Sequence, residues 1–455
     1  MKRFVWQWLV ISSMLAPLGA MAATRPQYGG TLRVALHGAP ASLEASGDGG
    51  EDSVALRNIK ALIFQELVSV DEAGVLHPEL ASAWQSAPGN RRWVFQLRRE
   101  VKFDDDTPLT AEIVAASLRA ANAAWRVVAE ADRIVIQTDL PDAELPAELA
   151  QSRYAIYRKT DSGGLSGTGP FRIAEWQPGK RLSLTANENC WQGRPYLDGV
   201  EIELGRNVHD EQLALESGRT DLADVPPEQV HRVTLEGQHV ISSQPIELLA
   251  LVFATEAHSQ EEKILREALA LSIERSSIRN VLLQGAGQAS GGILPNWISG
   301  YGFVFPADAN LAEARELRGQ FNSISHWTIN YDPNDLVARL VADRVALNAG
   351  DAGLNVQVST SSAADIKVVR FSLAGDPRVA FTNFAAFAGL PTPSFNSGSA
   401  EDLYQAESGM LAARKVIPLF ELPISYACAS DIQNCAISPN GAWNLADVSM
   451  IRPKP

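Results

Sequence analysis

Residues that carry out chemistry are few in this chain, and those present lack the spacing that catalysis or metal binding needs. The seven histidines form no His-Glu-x-x-His pair, and no Gly-x-Ser-x-Gly segment is present to hold a nucleophile. The glycine-rich stretch 162–169 is not followed by the helix that a nucleotide-binding fingerprint requires. The sequence therefore predicts a protein that is not an enzyme and that has neither a metal site nor a cofactor.

Basic residues are also in deficit. The chain has 39 Lys and Arg against 53 Asp and Glu, which gives a formal net charge of −14. An acidic surface repels phosphate groups, so the composition argues against nucleic acid and anionic lipid as partners. No run of 18 apolar residues follows the N-terminal segment, which argues against a membrane span. With 46% apolar residues in 455, we expect a folded protein with two or three lobes.

The N-terminal segment has the pattern of a secretory signal. Lys2 and Arg3 form a short basic region, residues 4–18 are mostly apolar, and residues 20–22 (AMA) are small enough for cleavage. We therefore predict a signal peptide at 1–22 and a periplasmic protein; an uncleaved membrane anchor is the alternative. No cysteine stands at the expected cleavage point, so we expect no lipid anchor.

Cysteine is scarce as well, with three residues in the whole chain. In an oxidising compartment, Cys428 and Cys435 could close a small loop, although spacing alone does not show that their geometry permits it. Cys190 lies beside Trp191 in an apolar-rich corner, which favours a buried, unpaired thiol.

The most informative motifs lie in the first half of the chain. We predict a strand, a turn, a second strand and a Trp-Gly-Pro-Tyr corner, in that order, across the segments 167–173 (GTGPFRI), 176–180 (WQPGK) and 187–197 (NENCWQGRPYL). Three further segments are similarly distinctive: 28–36 (YGGTLRVAL), 101–111 (VKFDDDTPLTA) and 215–223 (LESGRTDLA). Together they closely resemble the extracellular solute-binding proteins of bacterial ABC importers, in the large peptide/nickel-binding family 5.

The second half alternates strands and helices, as expected for a further α/β lobe. Apolar runs at 246–253 and 417–420 predict buried strands, and apolar spacing predicts helices at 263–278 and 335–349. The resemblance implies an α/β, two-lobed periplasmic-binding-protein fold (type II, large peptide-binding class) with mixed sheets and a two-stranded hinge.

The hinge is expected near Ile246 and Ile417. The predicted division is lobe I at 24–245, with a return segment at 418–455, and a shortened lobe II at 246–417.

The resemblance also implies a function. Such a protein is the periplasmic substrate-binding component of an ABC transporter importing peptides, and its two lobes close on the ligand. Its partners would be a peptide or other small solute and the permease subunits in the inner membrane, and we expect a monomer. Two alternatives stay open: the same fold binding an oligosaccharide, a nickel chelate or haem, and a degenerate derivative that no longer serves transport.

The element that carries the ligand-facing acid in the family reads Trp-x-x-Asp-x-x-Asp-Pro. The nearest match here is 371–377 (FSLAGDP), in which Phe371 replaces the tryptophan and Ala374 stands near the place of the acid. Phe371 and Asp376 are therefore candidates for ligand contact, although for Asp376 capping the turn before Pro377 is the favoured interpretation.

Three further residues are candidates for ligand contact. Asp48 and Glu51 belong to an acidic loop where the first lobe of the family reaches ligand, although loop acids are usually just solvated. Trp297 could be an aromatic wall of the cleft, and core packing is an equal alternative.

Overall fold

The computed structural model describes residues 26–44, 53–71, 75–161, 163–322, 326–333, 335–373, 375–393, 395 and 400–451. The predicted signal peptide, the candidates Asp48 and Glu51, and Ala374 lie outside these ranges. None of the helices in the described part of the chain has the length and hydropathy needed to cross a membrane.

The strands are β1 (Thr31–Leu36), β2 (Val68–Val70), β3 (Leu76–Pro78), β4 (Ala81–Ser86), β5 (Arg92–Leu97), β6 (Arg126–Glu130), β7 (Arg133–Gln137), β8 (Arg158–Lys159), β9 (Leu165–Ser166), β10 (Phe171–Gln177), β11 (Arg181–Ala186), β12 (Gly199–Leu204), β13 (Leu222–Asp224), β14 (His239–Phe253), β15 (Gln288–Ala289), β16 (His326–Asn330), β17 (Asn355–Val358), β18 (Ile366–Ser372), β19 (Val416–Cys428), β20 (Ile432–Gln433) and β21 (Ser449–Met450).

The α-helices are α1 (Val54–Ile63), α2 (Ala111–Ala121), α3 (Leu145–Glu148), α4 (Val208–Glu216), α5 (Val230–Leu235), α6 (Gln260–Ser272), α7 (Arg275–Val281), α8 (Asn296–Ser299), α9 (Leu311–Gly319), α10 (Leu336–Asp351), α11 (Pro377–Phe387) and α12 (Ala400–Ala412). Short 3₁₀ turns occupy Ser152–Tyr154 and Pro227–Gln229.

One large mixed sheet passes through the molecule in the order β10-β11-β12-β1-β13-β19-β14-β18-β16-β17, with β15 also paired to β19. A separate antiparallel sheet has the order β4-β5-β7-β6. The predicted mixed α/β architecture is therefore confirmed. The strands from β10 to β13 lie on one side of the β14–β19 pair, and β18, β16 and β17 lie on the other.

The large sheet is covered by different hydrophobic clusters along its length. Strands β1, β10, β11 and β12 share a core with α1, and the smaller sheet has its own core with α2. Beyond the β14–β19 pair, Leu249 and Leu251 of β14 pack with α6, α7 and α10. Leu248 and Ala250 point to the opposite face, where they pack with α11 and α12. Such separate cores are expected of a chain divided into two halves.

The glycines of the 167–173 motif have a steric explanation. A Cβ at Gly167 would lie 1.9 Å from the carbonyl oxygen of Ile63, and one at Gly169 would lie 2.8 Å from the Ile63 carbonyl carbon. The Gly169 N–H donates to that same carbonyl oxygen at 2.9 Å. Only glycine allows this close approach of the motif to the end of α1.

Two local predictions follow from the segment 101–111: Thr110 should cap the helix that begins at Ala111, and Asp106 should occupy a left-handed turn position. Both are confirmed by backbone geometry. The Thr110 side chain accepts a hydrogen bond from the Ile113 N–H and caps α2, as predicted. Asp106 has φ 66°, the left-handed turn conformation that aspartate tolerates better than most residues.

One helix prediction is wrong. Residues 263–278 do not form a single helix, because Ile273 is extended and separates α6 from α7. The break places the buried Arg275 guanidinium where it donates to the carbonyl oxygens of Pro418, Ala270 and Ala307.

The structure joins Cys428 and Cys435 in a disulfide, and Cys190 is a buried free thiol whose burial raises its pKa. The disulfide follows directly on β19, since Cys428 is the last residue of that strand.

Candidate ligand-binding cleft

Strands β14 and β19 pair in antiparallel fashion over almost their whole lengths and connect the two halves. The pairing is irregular on both sides of Pro245, which lies opposite Pro423. Proline has no N–H to donate to the ladder, so two opposed prolines interrupt the hydrogen bonding at this point. Ile417, one of the two predicted hinge residues, pairs with Leu251, farther into the second half.

Trp297 lies beside this interruption. Its indole N–H donates to the Pro245 carbonyl oxygen at 2.8 Å, and 37% of the residue is exposed. The side chain is thus fixed at one end and partly open to solvent.

Phe371 lies on the same stretch of sheet, since it pairs with Leu248 of β14. Its ring contacts those of Phe384 and Phe387, at centroid distances of 5.3 and 5.1 Å. Phe371 is therefore part of an aromatic group formed with α11.

Asp376 is the N-cap of α11. Its carboxylate accepts hydrogen bonds from the backbone N–H groups of Arg378, at 2.9 Å, and Val379, at 3.2 Å. Proline follows at the first helical position, which is the usual arrangement at a helix start. These contacts account for Asp376 without any ligand.

Polar contacts join the two halves near α11. Arg378 forms an ion pair with Glu144 at 2.7 Å, and the Asn383 amide donates to Gln151 at 3.3 Å. Arg57 of α1 donates to the Ser372 hydroxyl at the end of β18. The structure thus brings α11 and the end of β18 against the first half.

The other face of the crossing strands carries a charged group. Arg370 pairs with Glu247 at 3.2 Å and with Asp335 at 3.1 Å. Burial acts to lower the pKa of Arg370, but the two carboxylates raise it overall. Burial also raises the pKa of Glu228, although the nearby Arg370 acts to lower it.

A cavity of about 410 Å³ opens near Glu228 on this face. It is lined from both halves by Glu228, Gln229, Arg232, Val281, Leu282, Gln284 and Leu340. Leu282 packs against the cluster on the α7 and α10 side, whereas Phe371 packs on the α11 side. The cavity and Phe371 are thus on opposite faces of the sheet.

A further acidic group occupies the edge of the first half. Strands β12, β1 and β13 are parallel, so their carboxyl ends meet at one edge of the sheet. There the Asp224 carboxylate accepts a hydrogen bond from the His37 N–H at 2.9 Å. Burial raises the pKa of Asp224 to about 6. Ligands of open α/β sheets characteristically bind beyond such carboxyl ends.

Glu211, in the first turn of α4, is buried at the same edge. It is 1% exposed, and neither carboxyl oxygen has a hydrogen-bond partner among the residues that the structure describes. Burial, with a smaller contribution from the charge of Asp224, raises the pKa of Glu211 to about 9. A pKa raised this far favours the protonated carboxyl group at neutral pH.

Sequence reasoning did not single out Glu211, Asp224 or Arg370. Asp224 could have been found, because it directly follows the apolar residues Leu222 and Ala223 at the end of a short strand. Glu211 carries no local signal, since its burial depends on how α4 packs on the sheet.

Solved structures share this fold at low sequence identity. NikA from Staphylococcus aureus, in complex with Ni(L-His)2, aligns with a TM-score of 0.76 and 19% identity, covering 93% of this chain and 100% of that one. The oligopeptide-binding protein AppA from Bacillus subtilis, in complex with a nonapeptide, also aligns with a TM-score of 0.76, at 17% identity over 94% of this chain and 100% of AppA.

Sequence comparison gives a consistent result. The probable D,D-dipeptide-binding periplasmic protein DdpA of Escherichia coli K12 is 24% identical over 250 residues, which cover 49% of this chain and 48% of DdpA. The chain thus spans about half the length of the curated relatives it matches. Residues 75–402 match the family described as bacterial extracellular solute-binding proteins, family 5 Middle. This match covers more than half of the 455 residues, and the chain therefore belongs to the family 5 bacterial extracellular solute-binding proteins.

Proposed function

We propose that this protein is the ligand-binding component of an ABC importer and that it captures solutes of the peptide class. The observation that carries the proposal is the crossing of β14 and β19 between halves with separate cores, interrupted at Pro245 and Pro423. A two-strand connection with a local break lets two rigid bodies rotate while each keeps its own packing.

In this account the hinge lies at Pro245 and Pro423, close to the predicted position at Ile246. Lobe I then comprises 24–245 with a return segment from Pro423 onward, and lobe II comprises 246–422. The boundary moves from the predicted position at 417 because Leu419, Phe420 and Leu422 pack in the core of the second half. The contacts of Arg378 and Asn383 with lobe I represent the closed state. A ligand that touches both lobes shifts the open–closed equilibrium by its differential affinity for the two states.

Peptides are the ligand class that we favour, since the relatives include DdpA, whose name refers to a D,D-dipeptide, and AppA, solved with a nonapeptide. The relatives also include nickel-binding and heme-binding proteins, so these ligands belong in any test. Ala374, near the place of the ligand-facing acid, favours a second candidate: a derivative that no longer serves transport.

The proposal includes a cellular setting. The protein would be exported by the signal peptide at 1–22 and work as a monomer in the periplasm. Its macromolecular partners would be the permease subunits in the inner membrane, which distinguish the closed receptor from the open one.

Thermal unfolding of the purified protein tests this function. A ligand that binds the folded state raises the melting temperature. At a ligand concentration a hundred times the Kd, it adds about 2.7 kcal/mol to the free energy of unfolding. We expect a shift with a pool of di- to pentapeptides and none with nickel-histidine, haemin or oligosaccharides. A shift with one of the latter would reassign the ligand, and no shift with any would favour the non-transport derivative.

A further inference from the structure

We infer that Glu211 and Asp224 form a subsite that holds the ammonium group of the solute against lobe I. This inference rests on the proposed function and names the part of the cleft that would recognise the amino group of a peptide. Position 374 of lobe II is an alanine and cannot hold an ammonium group. The acids of lobe I would perform this role instead.

The two carboxyl groups lie at the edge of lobe I that faces lobe II. Asp224 is the last residue of β13, at the carboxyl edge of three parallel strands. The next residue, Val225, donates its N–H to the Ser425 carbonyl oxygen, two residues beyond the crossing at Pro423. This edge of the sheet therefore faces lobe II. Glu211 reaches the edge from α4, the helix that follows β12 in the chain. Both acids therefore lie where a ligand between the lobes would meet the sheet.

The unsatisfied state of Glu211 is the second, independent argument. Its two oxygens have no hydrogen-bond partner among the described residues although the side chain is 1% exposed. An unpaired buried carboxyl group costs free energy unless something binds it, so its presence needs an explanation. An ammonium group supplies three N–H donors and a positive charge, which the neighbouring Asp224 would also attract.

The charged groups nearest to Glu211 are engaged with other partners. Arg206 faces Glu211, but its guanidinium is bound to Glu203 at 2.8 Å. Asp210, the other acid near Glu211, accepts a hydrogen bond from the Asn207 amide.

Asp224 in turn faces His37 and, farther away, Glu247. A metal ion is a weaker explanation, since no group of three or more His, Cys, Asp or Glu in the described ranges is arranged to hold one.

Binding has a proton balance that can be measured. The protonated Glu211 carboxyl loses its proton as the ammonium group forms a hydrogen-bonded ion pair with the carboxylate, so one proton is released to the buffer. The affinity should therefore rise between about pH 5 and about pH 7, because a peptide amino group itself loses its charge near pH 8.

Isothermal titration of the full chain tests the subsite, with the di- to pentapeptide pool, the same pool N-acetylated, and calcium chloride as probes. The wild-type protein should bind the free pool and release a proton, seen as a dependence of the heat on the buffer. Glu211→Gln and Asp224→Asn should weaken binding about tenfold or more, and acetylation should have a similar effect. Glu216→Gln, at an exposed position of α4, is the matched control and should bind as the wild type does.

The outcomes are distinct. The subsite is overturned if both folded variants bind the peptide pool as tightly as the wild type does. It is also overturned if the wild type binds the acetylated pool as tightly as the free pool. Either result leaves the receptor function standing. Calcium binding that depends on Glu211 overturns the ammonium assignment in favour of a metal. If the wild-type protein binds no peptide, the peptide function fails and this subsite fails with it.

Discussion

At the scale of single residues, Glu407 links α12 to the loop before α8. It is completely buried, and its carboxylate accepts hydrogen bonds from the Ile293 and Leu294 N–H groups and from the Tyr301 hydroxyl. Burial raises the pKa of Glu407 to about 7, although these donors act to lower it.

This pKa predicts a specific pH dependence. A carboxyl group with a raised pKa in the folded state stabilises the fold fully below its unfolded pKa, about 4.5. That stabilisation is lost as the pH rises through about 7, and the loss amounts to about 3 kcal/mol. Glu407→Gln keeps an acceptor for the two N–H groups and can donate to Tyr301. We expect the variant to gain stability relative to the wild type between about pH 4.5 and about pH 8.

Urea unfolding of both proteins at these two pH values measures the difference. Glu401→Gln, at an exposed position of the same helix, should follow the wild type. A difference between wild type and Glu407→Gln that is the same at both pH values would show that Glu407 does not titrate between them.

Residue-scale prediction from sequence succeeded where a side chain acts on its own neighbours in the chain. Thr110 and Asp106 could be assigned because capping and left-handed turns depend on local backbone geometry. Glu211 and Glu407 could not, because their burial depends on contacts with distant segments such as β13 and the 293–294 loop.

At the scale of elements, the start of α11 distinguishes two roles for Asp376. If it only caps the helix, Asp376→Ala should lower the free energy of unfolding by about 1 kcal/mol, and Asp376→Ser should restore most of it. Both variants should then bind the peptide pool as the wild type does. Loss of binding in the stable serine variant would instead assign the carboxylate to the ligand.

The end of β19 offers a second test at this scale. The disulfide between Cys428 and Cys435 closes a loop with a sequence separation of 7, and loop closure of this size stabilises a fold by about 2 to 3 kcal/mol. The double variant Cys428→Ser with Cys435→Ser should lose this amount in urea unfolding. Reducing agent should destabilise the wild type by a similar amount and leave the stability of the double variant unchanged. If reducing agent changed the stability of both proteins equally, the disulfide would not be the source of the stabilisation.

Elements were predictable from sequence where apolar spacing was long and regular, as in α10, predicted at 335–349 and found at Leu336–Asp351. The strands β14 and β19 extend well beyond their apolar runs, because pairing with each other satisfies the backbone of the polar segments as well. The break between α6 and α7 was missed because Arg275 is held by carbonyl groups from Pro418 and Ala307.

At the scale of the whole molecule, the ion pair between Arg378 and Glu144 should favour the closed state. The two side chains are 22% and 38% exposed, and ion pairs of this kind contribute up to about 1 kcal/mol. Arg378→Gln should therefore weaken peptide binding by up to about fivefold with little change in the stability of either lobe. Arg181→Gln removes an ion pair within lobe I, with Glu201, and should leave the affinity unchanged.

Titration calorimetry with the peptide pool compares these variants. Equal affinities for Arg378→Gln and Arg181→Gln would mean that the pair does not contribute to closure.

The central claim is that the two lobes close on a solute about the crossing at Pro245 and Pro423. Small-angle X-ray scattering of the purified protein, alone and with an excess of the di- to pentapeptide pool, tests it most directly. The account predicts a smaller radius of gyration with peptide than without it. A radius of gyration that stays the same while calorimetry shows bound peptide would contradict closure, and an absence of binding would contradict the receptor function itself.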